Sequence, residues 1–191
     1  LAAGLRDAWL ACTPIIAFSG GTTPAERYRN SYQEVEDISA FDPVTKFNAH
    51  VDSVERFPDL MRQAFRAATS GTPGPVHLRF AGNLGQVEQQ EADLDVIVEE
   101  QFSRVPPYRP EPDGGSIARV ARLLAAAKKP VIVSGGGVRT SGAGAEIVEL
   151  AEKLQIPIAT SMNGKDTVSG NHPLAIGTSG SYPRRTANQL V

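Results

Sequence analysis

Three consecutive glycines, Gly135-Gly136-Gly137, stand between the apolar run Pro130-Val131-Ile132-Val133 and a segment with Ile147, Leu150, Ala151 and Leu154 at helical spacing. Glycine at a strand end lets the backbone approach a phosphate closely, and the amino end of a following helix favours an anion. The dinucleotide fingerprint is incomplete: position 140, where a third glycine would fall, is Thr140, and no clear acid ends the next strand. A tight turn that binds nothing fits the same residues, so the local sequence leaves both readings open.

Gln33-Glu34 with Glu36-Asp37 fits either a catalytic acid cluster or the charged first turn of a helix, where carboxylates favour the dipole. Lys46 lies between Val44 and Phe47 on a strand candidate, an unusual place for a cation. The three histidines, His50, His77 and His172, have no carboxylate at metal-ligand spacing and read as hydrogen-bonded structural residues. Cys12 reads as a small buried side chain, since nothing local lowers its pKa. No serine sits in a G-x-S-x-G elbow. The residues alone assign no catalytic group and no metal ligands.

Composition narrows the function classes. Nineteen Lys+Arg against 21 Asp+Glu give a formal net charge of -2, and the basic runs are only pairs, Lys128-Lys129 and Arg184-Arg185. That excludes an electrostatically driven nucleic-acid or membrane-surface binder. A single cysteine rules out an intramolecular disulfide and fits a reducing compartment, so the expected location is cytoplasmic. No apolar run approaches the roughly 18 residues of a membrane span. Leu1 falls inside an amphipathic pattern and Val191 inside another helix-like stretch, so the chain reads as an excerpt from a longer polypeptide.

The elements that must position these residues alternate. Spacing predicts a helix over 1–11, broken by Thr13-Pro14, then a buried strand over 15–18 and a turn-rich loop over 19–24. That loop lies at the strand's carboxyl end, where open α/β sheets place ligands. A second strand is expected over 45–51. A helix follows with Phe57, Leu60, Met61, Ala64, Phe65 and Ala68 on one face, ended by Gly71. Residues 76–80 alternate apolar with polar, which predicts a strand with one wetter face.

Pro106, Pro107, Pro110 and Pro112 then mark a linker, with a short strand expected at 94–98. Beyond it Ser116 is expected to cap a helix burying Ile117, Val120, Ala121 and Leu124, with Lys128-Lys129 at its carboxyl end. Strand, glycine turn, helix and the strand Ile156-Pro157-Ile158-Ala159 complete a βαβ unit with a parallel sheet. The expected fold class is α/β, with parts of two doubly wound, Rossmann-like domains joined by a Pro-rich linker. Two incomplete sheets should expose apolar faces, making the segment unstable or aggregation-prone alone.

In order along the chain, Tyr32-Gln33-Glu34, Pro43-Val44-Thr45-Lys46, Ala64-Phe65-Arg66-Ala67-Ala68-Thr69-Ser70-Gly71 and Pro73-Gly74-Pro75-Val76 resemble the thiamine-diphosphate enzymes of the acetolactate synthase type. The second half continues the resemblance. There the matching pieces are Lys129-Pro130-Val131-Ile132 with Gly135-Gly136-Gly137-Val138, Leu150-Ala151-Glu152-Lys153-Leu154 before Ile156-Pro157, Asn163-Gly164-Lys165, and His172-Pro173-Leu174 with Gly177 and Gly180.

The resemblance implies that residues 1–82 are the C-terminal part of a pyrimidine-binding domain, 83–114 a linker, and 115–191 the N-terminal part of a central, nucleotide-binding-like domain. It implies a parent carboligase or decarboxylase that uses thiamine diphosphate and Mg2+, acts on pyruvate or a related 2-oxo acid, and assembles from identical subunits as a homodimer or homotetramer. In that family the activating glutamate lies upstream of these residues and the Gly-Asp-Gly motif beyond them, so the segment alone should not catalyse.

By the same resemblance Gln33 and Lys46 match positions near the substrate channel, while Tyr32 stands where acetolactate synthases usually show Phe. Arg79-Phe80-Ala81-Gly82-Asn83 replaces the family's usual Asp-x-Pro-x-Asp. Gly136, Gly137, Thr160, Ser161, Met162, Gly177 and Gly180 match regions that hold FAD in flavin-bearing members and ADP or other adenosine nucleotides elsewhere; Tyr182-Pro183-Arg184-Arg185 differs from the flavin-binding pattern. The rival readings are a non-catalytic FAD- or ADP-binding module and a catalytically degenerate paralogue.

Overall fold

Thr13-Pro14 ends the first helix, α1 (Ala2–Leu10), which buries Leu5 and Ala8. β1 (Ile15–Gly21), β2 (Asn48–Val51), α2 (Phe57–Thr69) and β3 (Pro75–Ala81) follow. In this computed structural model, which describes residues 1–82 and 93–191, the chain divides into two compact units, 1–108 and 109–191.

In the first unit β3 is the middle strand of a parallel sheet ordered β1-β3-β2, with Ser19 and His50 both in register with Arg79. The helical period of α2 places Leu60, Ala64 and Ala68 on one buried face, where they pack with Val51, Val76 and Leu78. A 3-10 helix, Ile38–Val44, buries Phe41 and Val44 beside Leu5 and Ala17.

Several expectations change here. β1 runs three residues further than 15–18, because its pairing with β3 continues to Gly21, and as an outer strand it leaves Ile15 and Phe18 exposed. β3 has no wet face near its start: residues 75–79 are all buried, His77 and Arg79 included. The second strand begins at Asn48, and Thr45, Lys46 and Phe47 form a short link to it from the 3-10 helix that ends at Val44. Cys12 is exposed, in a left-handed turn with φ 52°.

Of the stretch read as a linker, residues 83–92 lie outside the described residues, and residues 93–108 belong to the first unit. No strand forms over 94–98. Instead Arg66 on α2 pairs with Glu99 and lies 5.8 Å from the ring centroid of the buried Phe102.

The second unit contains α3 (Gly114–Ala126), β4 (Ile132–Ser134), α4 (Gly136–Ser141), α5 (Gly144–Leu154), β5 (Ile158–Thr160), β6 (Ala175–Thr178) and α6 (Arg185–Leu190). Its parallel sheet is ordered β4-β5-β6 and packs on Ala151, Ile147 and Val148 of α5. The glycine turn leads into the short α4 rather than directly into α5, and Gly142, at φ 71°, separates the two.

Asp113, not Ser116, caps α3, accepting the Ser116 N–H at 2.7 Å. No residue of α3 is buried, so among the described residues Ile117, Val120, Ala121 and Leu124 form no core face. Among the described residues, no helix is long and apolar enough to cross a membrane.

Candidate functional site

β3 carries a polar array below the carboxyl edge of the first sheet. The Asn48 amide nitrogen donates to the carbonyl of Ile38 and to Asp42, each at 2.7 Å, which turns its oxygen toward the ring of His77. That oxygen accepts from His77 Nδ1 at 2.8 Å, so Nε2 is left to accept the Ser19 hydroxyl at 2.8 Å. Burial pushes the His77 pKa down to about 4, and its ring stays neutral.

Serine, histidine and asparagine in this order can in principle make a nucleophile, its base and the base's orienting group. Here Ser19 sits inside a regular strand, and so low a pKa makes His77 a weak base near neutrality. The array ties β1, β2 and the 3-10 helix to the central strand, in keeping with a hydrogen-bonded structural histidine.

Gln33 stands on the loop that leaves the carboxyl end of β1 and is itself left-handed, with φ 58°. Tyr28 and Asn30 in the same loop also have positive φ. Backbone strain of this kind persists only where neighbours over-determine the chain. They do so here. The Glu34 carboxylate accepts the N–H groups of Ser31, at 2.9 Å, and Tyr28, and these bonds, with Ser31 foremost, lower its pKa. Arg27 pairs with Asp52 at 3.3 Å.

The acid pair Glu36-Asp37 begins no α-helix. Both carboxylates face Arg79, at 3.5 and 3.2 Å, and Arg79 also donates to the Val35 carbonyl at 2.9 Å. A Cβ at Gly21 would overlap Arg79 Nε, so the guanidinium crosses the outer strand where there is no side chain. Sequence reasoning missed Arg79; the available signal was a charged strand residue facing two unassigned acids.

Lys46 is not beside Gln33. It precedes β2 at the sheet's amino edge, where its backbone N–H bonds Pro75 and its Nζ donates to the Ser70 carbonyl at 2.6 Å, at the end of α2. Partial burial lowers the pKa of its amine. The geometry is that of a cation on a helix carboxyl end.

In the second unit the seven residues matched from the sequence converge on one edge. Gly136 and Gly137 follow β4, Thr160, Ser161 and Met162 end and follow β5, and Gly177 and Gly180 lie in and after β6. This is the edge at which parallel sheets bind ligands. Ser161 caps the 3-10 helix Met162–Thr167 through the Gly164 N–H, and its own N–H bonds the Ser134 carbonyl at 2.9 Å. Gly164 is required: a Cβ there would overlap that same carbonyl oxygen. Thr160 is buried and Met162 exposed. Gly177, at φ 96°, makes room for the Arg184 side chain.

Magnesium requires convergent oxygen ligands. Among the described residues no group of three His, Cys, Asp or Glu side chains is placed to hold a metal.

The family model described as thiamine pyrophosphate enzyme, central domain, matches residues 117–191. Over its whole length the chain is 32% identical to the acetolactate synthase isozyme 1 large subunit of Escherichia coli K12, covering 33% of that protein. The chain belongs to the thiamine pyrophosphate enzyme family. Another relative in the family, the acetolactate synthase of Arthrospira platensis, is 33% identical over 94% of the chain and 31% of its own length. The chain thus spans about a third of the length of the curated relatives it matches. The fold of benzoylformate decarboxylase from Polynucleobacter necessarius superposes with a TM-score of 0.74 at 23% identity, over 91% of this chain and 32% of that one.

Proposed function

We propose that this chain is part of a thiamine diphosphate- and Mg2+-dependent carboligase or decarboxylase that acts on pyruvate or a related 2-oxo acid. The observation that carries the reading is the similarity to an acetolactate synthase large subunit, 32% identical over the whole of this chain. Bound thiamine diphosphate supplies the carbanion-stabilising carbon. The metal and the diphosphate would be held by residues outside this chain.

On this reading residues 1–82 are the later part of a pyrimidine-binding domain, 83–114 the connection and 115–191 the start of the central domain. Gln33 lies at the substrate channel, where its amide hydrogen-bonds an anionic 2-oxo acid. Lys46, engaged at the end of α2, serves the scaffold of that channel. The exposed apolar side chains of Tyr28, Tyr32 and the α3 face are covered in a homodimer or homotetramer.

In the full polypeptide, pyruvate-dependent release of carbon dioxide that needs added thiamine diphosphate and Mg2+ is the expected result. Turnover without either would overturn the reading. A second reading rests on the convergence of Gly136, Gly137, Thr160, Ser161 and Gly180 at one edge: the second unit retains FAD or ADP. Equilibrium dialysis of the full polypeptide with each nucleotide tests it, and catalysis without nucleotide retention removes it.

A further inference from the structure

We propose that Arg79 is a positioning residue for the Gln33 loop: its guanidinium latches residues 35–37 to the central strand and so fixes where Gln33 meets substrate. The proposal rests on the reading of Gln33 as a substrate-channel residue.

Arg79 is 6% exposed although it carries a full charge. A cation so placed needs partners for its N–H groups. It finds them in one short segment: the Val35 carbonyl, at 2.9 Å, Glu36, at 3.5 Å, and Asp37, at 3.2 Å. Its path there crosses Gly21, where any side chain would displace it. The latch therefore joins the central strand, the end of β1 and the base of the loop.

Among the described residues, few other contacts tie the loop between 22 and 37 to the sheet. Its tyrosines Tyr28 and Tyr32 are exposed, and Glu34 satisfies the loop's own backbone rather than the sheet. Arg27–Asp52 is a solvent-facing pair, and such pairs contribute little. Three left-handed residues, Tyr28, Asn30 and Gln33, keep the loop under strain. Without Arg79 the segment has a route to relax, and Gln33 moves with it.

The test uses the full polypeptide and three proteins: unsubstituted, Arg79→Met, and the double variant Glu36→Gln/Asp37→Asn. The double variant alters only exposed carboxylates and so keeps the fold. Trypsin reads the loop directly, because Arg27 and Arg29 lie in it, while Arg66 on α2 reports global opening. Loss of charge-assisted bonds predicts cleavage after Arg27 and Arg29 about tenfold faster in both variants. Cleavage after Arg66 should be unchanged. The KM for pyruvate should rise about tenfold with kcat within about twofold, as for a loss of binding alone.

Unchanged loop cleavage in both variants overturns the proposal. So does a released loop with an unchanged KM, and so does acceleration at Arg66 in step with Arg27 and Arg29, which marks Arg79 as merely holding the fold. If the unsubstituted enzyme does not turn over pyruvate, the functional reading has failed instead, and the cleavage pattern still decides whether the latch exists.

Discussion

The ring of His77 lies flat on that of Phe41, with centroids 3.6 Å apart and planes 6° from parallel. One belongs to the central strand and the other to the 3-10 helix that follows the Gln33 loop, so a neutral imidazole is clamped between an aromatic face and two hydrogen bonds.

A pH dependence follows from that clamp. Burial lowers the folded pKa of His77 from 6.5 to about 4, so between those values the unfolded chain takes up a proton that the native one refuses. Its stabilising effect is complete above pH 6.5 and lost as pH falls toward 4, at up to about 1.4 kcal/mol per pH unit. Denaturation of the full polypeptide and its His77→Gln variant at pH 7 and pH 4.5, values on the order of those limits, is the check. The stability gap between the two proteins should narrow at the lower pH; parallel behaviour would refute the clamp.

Gly164→Ala should cost about 3 kcal/mol, because the added methyl meets the Ser134 carbonyl, a backbone atom that cannot swing aside. Gly137→Ala, with nothing within 4 Å of the new carbon, serves as the control and should change stability by less than about 1 kcal/mol. Urea midpoints of the two variants give the comparison.

Lys46→Met should lower stability by about 0.5 kcal/mol, the loss of one cation at the carboxyl end of α2. The effect should shrink at high salt. A change in pyruvate KM larger than about threefold would return Lys46 to the substrate channel.

The exposed row Ile117, Val120 and Leu123 on α3 predicts association of the 191-residue chain on its own. Light scattering should fall on replacing Ile117 and Val120 with glutamine, and a sharp cooperative melt of a monomeric chain would contradict the expectation. Because these side chains are exposed in the chain as it stands, the substitutions should leave its helix intact.

Periodic features were legible in the sequence. The face of α2, Leu60, Ala64 and Ala68, follows from helical spacing, and the alternation of helix and strand was enough to name an α/β fold. The order of the second unit's strands was also readable, since the segments around Gly136, Ser161 and Gly180 lie near the ends of three strands of one parallel sheet. What escaped was non-local. His77 and Arg79 alternate with apolar neighbours and so imitate a wet strand face, while their partners lie 58, 29 and 44 residues away in sequence. No local pattern shows that such a polar side chain is satisfied in the interior. The face of α3 failed for the opposite reason: its periodicity is genuine, but nothing among the described residues covers it.

The order of strands in the first sheet also governs how the chain can be made. β3 is the last of the three to leave the ribosome, yet among the described residues both other strands pair only with it. Among the described residues, β1 and β2 have no strand between them until residue 81 has emerged. Sheet formation is then a late, long-range event that closes loops of 58 residues at a stroke. This is the slow kind of topology, in which loop entropy is spent before contacts return it. Synthesis that stalls before Pro75 leaves β1 and β2 without the strand that joins them, with surface open to chaperones and proteases.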